Sequence, residues 1–168
     1  MQSDNTWELP FGKGKAVNPS LPVINRMIGG WTTSGIYVYQ PGGAPLSWGN
    51  VIYLGGDLNL QPHNPDHAFD TTRFDIKSAD QPSLNIRTFS SQFANLRQDG
   101  INQFDLSVVK NNPIREKVNL QYRCDFFNAL NHPTFAAPNL SPTNASFGII
   151  TSQANIPRSI QMALRLVW

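Results

Sequence analysis

Charge, cysteine and long apolar runs are all scarce in this chain. Charged residues make up 14% of its 168 positions, well below the quarter usual in a soluble domain. The net charge is only +2, and the basic residues lie scattered at Lys13, Lys15, Arg26, Arg73, Lys110 and Arg115. No stripe suits a phosphate backbone, so nucleic-acid binding is not expected. Cys124 stands alone, which excludes an intrachain disulfide and leaves the redox compartment unread. Its alternate neighbours Tyr122 and Phe126 are apolar, so the thiol is expected to act as a small buried or lipid-facing hydrophobe, not a nucleophile. No run of about eighteen apolar residues occurs, which excludes a transmembrane helix. A membrane-spanning sheet stays open, because a strand needs only every second residue apolar. The first residues, MQSDNTWELPFG, have neither the basic start nor the apolar core of a secretory signal. A nucleophile elbow, a phosphate loop and a dinucleotide fingerprint are missing too. Ser, His and Asp are present without a spacing that nominates a triad, so neither enzyme activity nor a cofactor is expected.

Alternation with period two is what the chain does have. In Arg158 to Trp168, Ile160, Met162, Leu164, Leu166 and Trp168 fall on one side of an extended chain, and Ser159, Gln161, Ala163 and Arg165 on the other. From Glu116 to Asn128, Val118, Leu120, Tyr122, Cys124 and Phe126 alternate with Asn119, Gln121, Arg123 and Asp125. From Gly100 to Lys110, Phe104, Leu106 and Val108 oppose Gln103, Asp105 and Ser107, and Asn111-Asn112-Pro113 reads as a turn. Met27 to Gln40 is rich in β-branched and aromatic residues. Parity does not assign its lipid face, although Tyr37 and Tyr39 near its end favour their own side. Asn5 to Leu9 reads as the end of a strand stopped by Pro10 and Gly12.

The expected fold class is therefore all-β: an incomplete antiparallel transmembrane β-barrel segment of about five strands with long extracellular loops. The strands fall near 5–9, 27–40, 100–110, 116–128 and 158–168. Between them, 41–99 and 129–157 are long and full of turn formers, whereas 10–26 and 111–115 are shorter. Outer-membrane barrels have long outer loops and short periplasmic turns. If Trp168 ends at the periplasmic rim, long and short connections alternate on the expected sides. Within 41–99, Val51 to Leu54 is expected to pair locally, with Phe69 and Phe74 as anchors. Arg123, Asp125 and Arg165, with Asn119 and Gln121, would line the lumen, either touching plug or ligand or forming a polar ladder that solvates the interior.

Five stretches, WELPFGKGK, GGWTTSGIYVYQPG, IRTFSSQFANLRQDGINQFDLSVVKN, FFNALNHPTFAAPN and SQANIPRSIQMALRLVW, resemble in that order the C-terminal barrel segment of TonB-dependent outer-membrane receptors of the Oar-like, acidobacterial type. The resemblance implies a parent barrel of about twenty-two strands around a plug, which imports a scarce ligand with energy from the inner membrane. It implies that Ile160, Met162, Leu164, Leu166 and Trp168 are the signal read by the barrel-assembly machinery. It also implies contacts with outer-membrane lipid and with the rest of the parent barrel and its plug. The location would be the cell outer membrane, with the export signal carried elsewhere in the parent, and transport by five strands alone is not expected.

Other candidates have simpler readings. His63, Asp66, His67 and Asp70 in HNPDHAFD are of metal-ligand type, but Pro62 and Pro65 argue against the helix on which an i, i+4 histidine pair ligates; a solvated loop is expected and no metal. His132 before Pro133 reads as a turn residue. Asn144-Ala145-Ser146 fits a glycosylation acceptor, incidental in a bacterial setting. The alternative function is a soluble β-rich carbohydrate-binding module with Trp31, Trp48 and the tyrosines as stacking platforms.

Overall fold

The computed structural model describes residues 1–12, 14–18, 20–60, 64–81, 87, 89–116 and 118–168. They form two compact units, one of Met1–Tyr39, Asn102–His132 and Ile156–Trp168, the other of Gln40–Ile101 and Pro133–Asn155. In chain order the elements are β1 (Gln2–Glu8), α1 (Pro22–Ile28), β2 (Trp31–Gln40), β3 (Pro45–Ser47), β4 (Gln92–Arg97), β5 (Ile101–Arg115), β6 (Val118–Phe127) and β7 (Ser159–Val167).

The first unit is a single-layer sheet in the order β1-β2-β5-β6-β7. β1 pairs antiparallel with β2, β5 with β6 and β6 with β7. The junction of β2 and β5 is antiparallel as well. Asn111 donates its N–H to the Gly30 carbonyl at 2.8 Å, while Gly35, further along β2, faces the earlier Phe104 ring. A side chain at Gly35 would meet that ring at 2.9 Å, so the glycine leaves room for the aromatic to lie across the strand.

Two strand boundaries differ from the sequence reading. The strand expected from residue 27 begins at Trp31, because Pro22–Ile28 is helical. Pro22 suits a first helical turn, where its missing N–H is not needed. Gly30 at φ +73° then turns the chain into β2, a conformation costly for any residue with a Cβ. The second correction concerns Asn111-Asn112-Pro113, which do not turn but pair with Gln121, Leu120 and Asn119. β5 runs on to Arg115, with a register shift between Pro113 and Arg115, the kind of irregularity that accommodates a proline with no N–H to give. β6 accordingly starts at Val118.

Within the first unit the sheet holds little buried apolar core of its own among the described residues. Among the described residues, seven of the eight buried hydrophobic side chains (Leu46, Trp48, Val51, Leu58, Phe69, Phe74 and Leu96) belong to the second unit, and only Cys124 belongs to the sheet. The segments expected to be irregular loops thus hold the apolar core. Trp48 is 1% exposed and Phe69 fully buried. Trp48 meets Phe69, Phe74 and Phe93 with ring centroids 5.3, 5.8 and 5.5 Å apart. Val51 to Leu54 pairs locally, as its composition suggested: Leu54 donates to Arg73 at 2.8 Å and Asp75 to Ile52 at 3.0 Å. From the second loop, Phe147 packs edge-on to Phe69 at 5.3 Å.

Asp70 ties this core to its turn. Its carboxylate accepts from the Thr72 hydroxyl at 2.6 Å and the Thr72 N–H at 3.0 Å, capping a 3-10 turn at Thr71–Arg73, and from Arg73 Nε at 3.0 Å. The Thr72 hydroxyl first, then the Thr72 N–H and Arg73, hold the carboxyl below the usual range, against the opposing effect of burial. A depressed carboxylate stabilises the fold fully above its unfolded value of about 4, and that contribution is lost as pH falls through the folded value. Protection of the β3 and β4 amides, measured relative to their intrinsic exchange rate at each pH, should therefore fall in acid below about pH 4. Asp70→Asn should flatten that limb yet stay within about 1 kcal/mol of the parent at neutral pH, because Asn caps nearly as well and the exposed ion pair is weak.

Candidate functional site

The register sorts the sheet into two chemically distinct faces. Residues directly opposite share a face, so Asn119, Gln121, Arg123 and Asp125 of β6 stand beside Val167, Arg165, Ala163 and Gln161 of β7. On the other flank they stand beside Pro113, Asn111, Val109 and Ser107 of β5. All five polar candidates, Arg165 included, are brought to this one face. Arg123 Nε donates to both Asp125 oxygens at 2.9 and 2.8 Å. Asn111 Oδ1 accepts from Asn119 at 3.3 Å and Gln121 at 3.0 Å. Further along the same face, Gln103 donates to Asp105 at 3.1 Å, and Asp105 takes the Asn128 N–H at 2.8 Å. The turn reading of Asn111 hid its part in this ladder, although its parity with Asp105 and Ser107 marked it.

The opposite face is apolar and aromatic. Ile160, Met162, Leu164 and Leu166 lie across from Phe126, Cys124, Tyr122 and Leu120, and Phe126 and Cys124 lie across from Leu106 and Val108. Trp168 follows two positions after Leu166. Gly35 facing Phe104 places the parity of Trp31, Tyr37 and Tyr39 on this same side, which assigns the face that alternation alone left open. Tyr37 and Tyr39 stack at 6.5 Å. Trp7, opposite Thr33, also belongs here and is 66% exposed. Trp7, Trp31 and Trp168 thus lie toward one end of the apolar face and Tyr37 and Tyr39 toward the other, with Tyr122 between.

The sequence of the chain matches the family model described as Outer membrane beta barrel domain over residues 1–161. The chain belongs to that family. No curated protein and no solved structure matches it. As an outer membrane beta barrel domain it resides in the outer membrane, and its open antiparallel sheet is an incomplete barrel. No helix among the described residues is long and apolar enough to cross a membrane.

The remaining candidates of the barrel domain take ordinary structural roles. His63 lies outside the described residues. Asp66 and His67 donate their backbone N–H groups to Asn64 at 3.0 and 2.9 Å, and among the described residues no three metal-ligating side chains gather. His132 sits just after the turn that follows β6, its N–H held by Asn128 Oδ1 at 2.9 Å. Asn144 accepts from the Ser146 N–H at 2.8 Å in a tight turn. Trp48, offered as a carbohydrate platform, is buried in the loop core, and the Trp31 ring is covered by Lys110 Nζ at 4.7 Å. Two of the aromatic surfaces that the soluble-module reading needs are therefore already occupied.

Proposed function

We propose that the chain forms the closing part of the barrel of a TonB-dependent, Oar-like transporter, with the apolar face of the sheet against lipid and the polar face lining the lumen. The observation that carries this reading is the pair of open edges on a one-layer sheet. In lipid each unpaired backbone group costs several kcal/mol, and five strands fall short of the roughly eight that fill a barrel. Because every junction in the sheet is antiparallel, β1 and β7 run in the same direction. Joining β7 of one copy to β1 of another would be a parallel junction, foreign to barrels of this kind. An odd number of further strands closes the sheet antiparallel at both edges. A parent barrel of about twenty-two strands supplies that number, and its plug would face the ladder of Asn119, Gln121, Arg123, Asp125 and Arg165. Ile160, Met162, Leu164, Leu166 and Trp168 form the edge offered to the assembly machinery.

The test is the size and behaviour of the native polypeptide. Outer-membrane fractions should yield these peptides from a band several times larger than 18.7 kDa, whose migration shifts on heating, and ligand uptake should stop when TonB is deleted. A chain of this size that remains monomeric in buffer without detergent would overturn the proposal.

A further inference from the structure

On the apolar face, beside Trp31 at the start of β2, Lys110 breaks the pattern. It shares parity with Phe104, Leu106 and Val108 and stands across from Tyr122, a costly place for an ammonium if that face meets lipid. Its charge is nevertheless fully engaged. Nζ donates to the carbonyls of Arg26, Met27 and Gly29 at 3.1, 2.7 and 2.9 Å, using all three donors of the ammonium. These carbonyls belong to the last turn and exit of α1, where the helix dipole favours a cation. The Trp31 ring lies against the same ammonium, and its Nε1 donates to Met27 at 3.1 Å. Arg26 adds a bond to the Pro113 carbonyl at 3.0 Å. A helix of only seven residues is thus fastened to the rim of the apolar side.

Beside the exposed Arg26, α1 presents three apolar side chains outward. Val23 is 71%, Ile24 40% and Met27 67% exposed, and Asn25 and Ile28 turn inward. The helix lies beside Trp31, whose ring belongs to the apolar face, and near the short β5 to β6 turn through the bond from Arg26 to Pro113.

We propose that α1 is an interfacial anchor, lying at the headgroup and acyl boundary of the periplasmic leaflet with Val23, Ile24 and Met27 in lipid, and held there by Lys110. Short helices of this kind bury an apolar stripe at the interface, and Trp and Lys at the rim set the depth of the protein. The inference rests on the apolar face being the lipid-facing one.

The experiment uses the intact protein in outer-membrane vesicles, with Cys124→Ala removing the native thiol and a fluorophore on a single cysteine at Val23, Met27, Ala16 or Leu164. Ala16 is exposed in the connection between β1 and α1 and serves as the aqueous reference. Quenching is read with lipids brominated near the headgroup or deep in the chains. Labels at positions 23 and 27 should be quenched by the shallow bromines and the label at Ala16 should not. Lys110→Gln should abolish quenching at 23 and 27 and leave Leu164 unchanged. If Leu164 is quenched while 23 and 27 behave like Ala16, the anchor is overturned and the lipid face stands. If Leu164 is unquenched, the lipid-facing reading fails and the anchor with it. Quenching at 23 and 27 that survives Lys110→Gln overturns the part assigned to the lysine.

Discussion

Leu164→Arg should lower the stability of the membrane-inserted barrel by about 2–4 kcal/mol. Leu164 lies midway along β7, opposite Tyr122, and is 69% exposed on the apolar face. In water such a position is nearly indifferent to charge, since the side chain is already solvated and a surface substitution usually costs within about 0.5 kcal/mol. In lipid the guanidinium must be dehydrated or must snorkel, and the cost is greatest near the midplane. The control is Gln161→Arg, earlier on the same strand but on the polar face and directly across from Asp125. It should be tolerated, because the new cation gains a carboxylate opposite it. Denaturant unfolding in lipid vesicles would measure both. Equal effects at 161 and 164 would mean that the two faces see the same solvent, which no barrel spanning a bilayer allows.

The faces of the sheet were legible in the sequence because side-chain alternation in a strand survives any context. The runs at β6 and β7 fix which residues share a side, and pairing brings Asn119, Gln121, Arg123, Asp125 and Arg165 together as parity requires. Boundaries were less legible, since they depend on competition between local and distant partners. Asn111-Asn112-Pro113 has the residues of a turn, yet β6 offers a full row of backbone partners, and the ladder prevails. α1 escaped notice because seven residues give barely two turns, too few for a helical period to show. Lys110 looked like one more scattered cation. Counting forward from Phe104 puts it among apolar residues, a mismatch that could have flagged it.

The loop core was legible only in its anchors, Phe69 and Phe74, which are indeed buried, and its disruption should have the largest effect. Trp48, Phe69, Phe74, Phe93 and Phe147 sit on segments with no shared period, so no window of sequence shows that they meet. Phe69 is fully buried, with Trp48, Phe74 and Phe147 at 5.3, 5.9 and 5.3 Å. Phe69→Ala removes one ring from a cluster in which Phe74 also touches both Trp48 and Phe147, and a change of this kind costs about 3–5 kcal/mol. That is much of the total stability of a small unit. The backbone at this point also joins the two loops, since Ala68 donates to Gly148 at 2.9 Å and Ile150 to Pro65 at 2.8 Å. The unit should therefore open as a whole: protease added to intact cells should cut within 41–100 and within 133–155 together, while the paired strands stay protected. Cleavage confined to one loop would mean that the two do not share a core, and loss of strand protection as well would mean that the sheet depends on it.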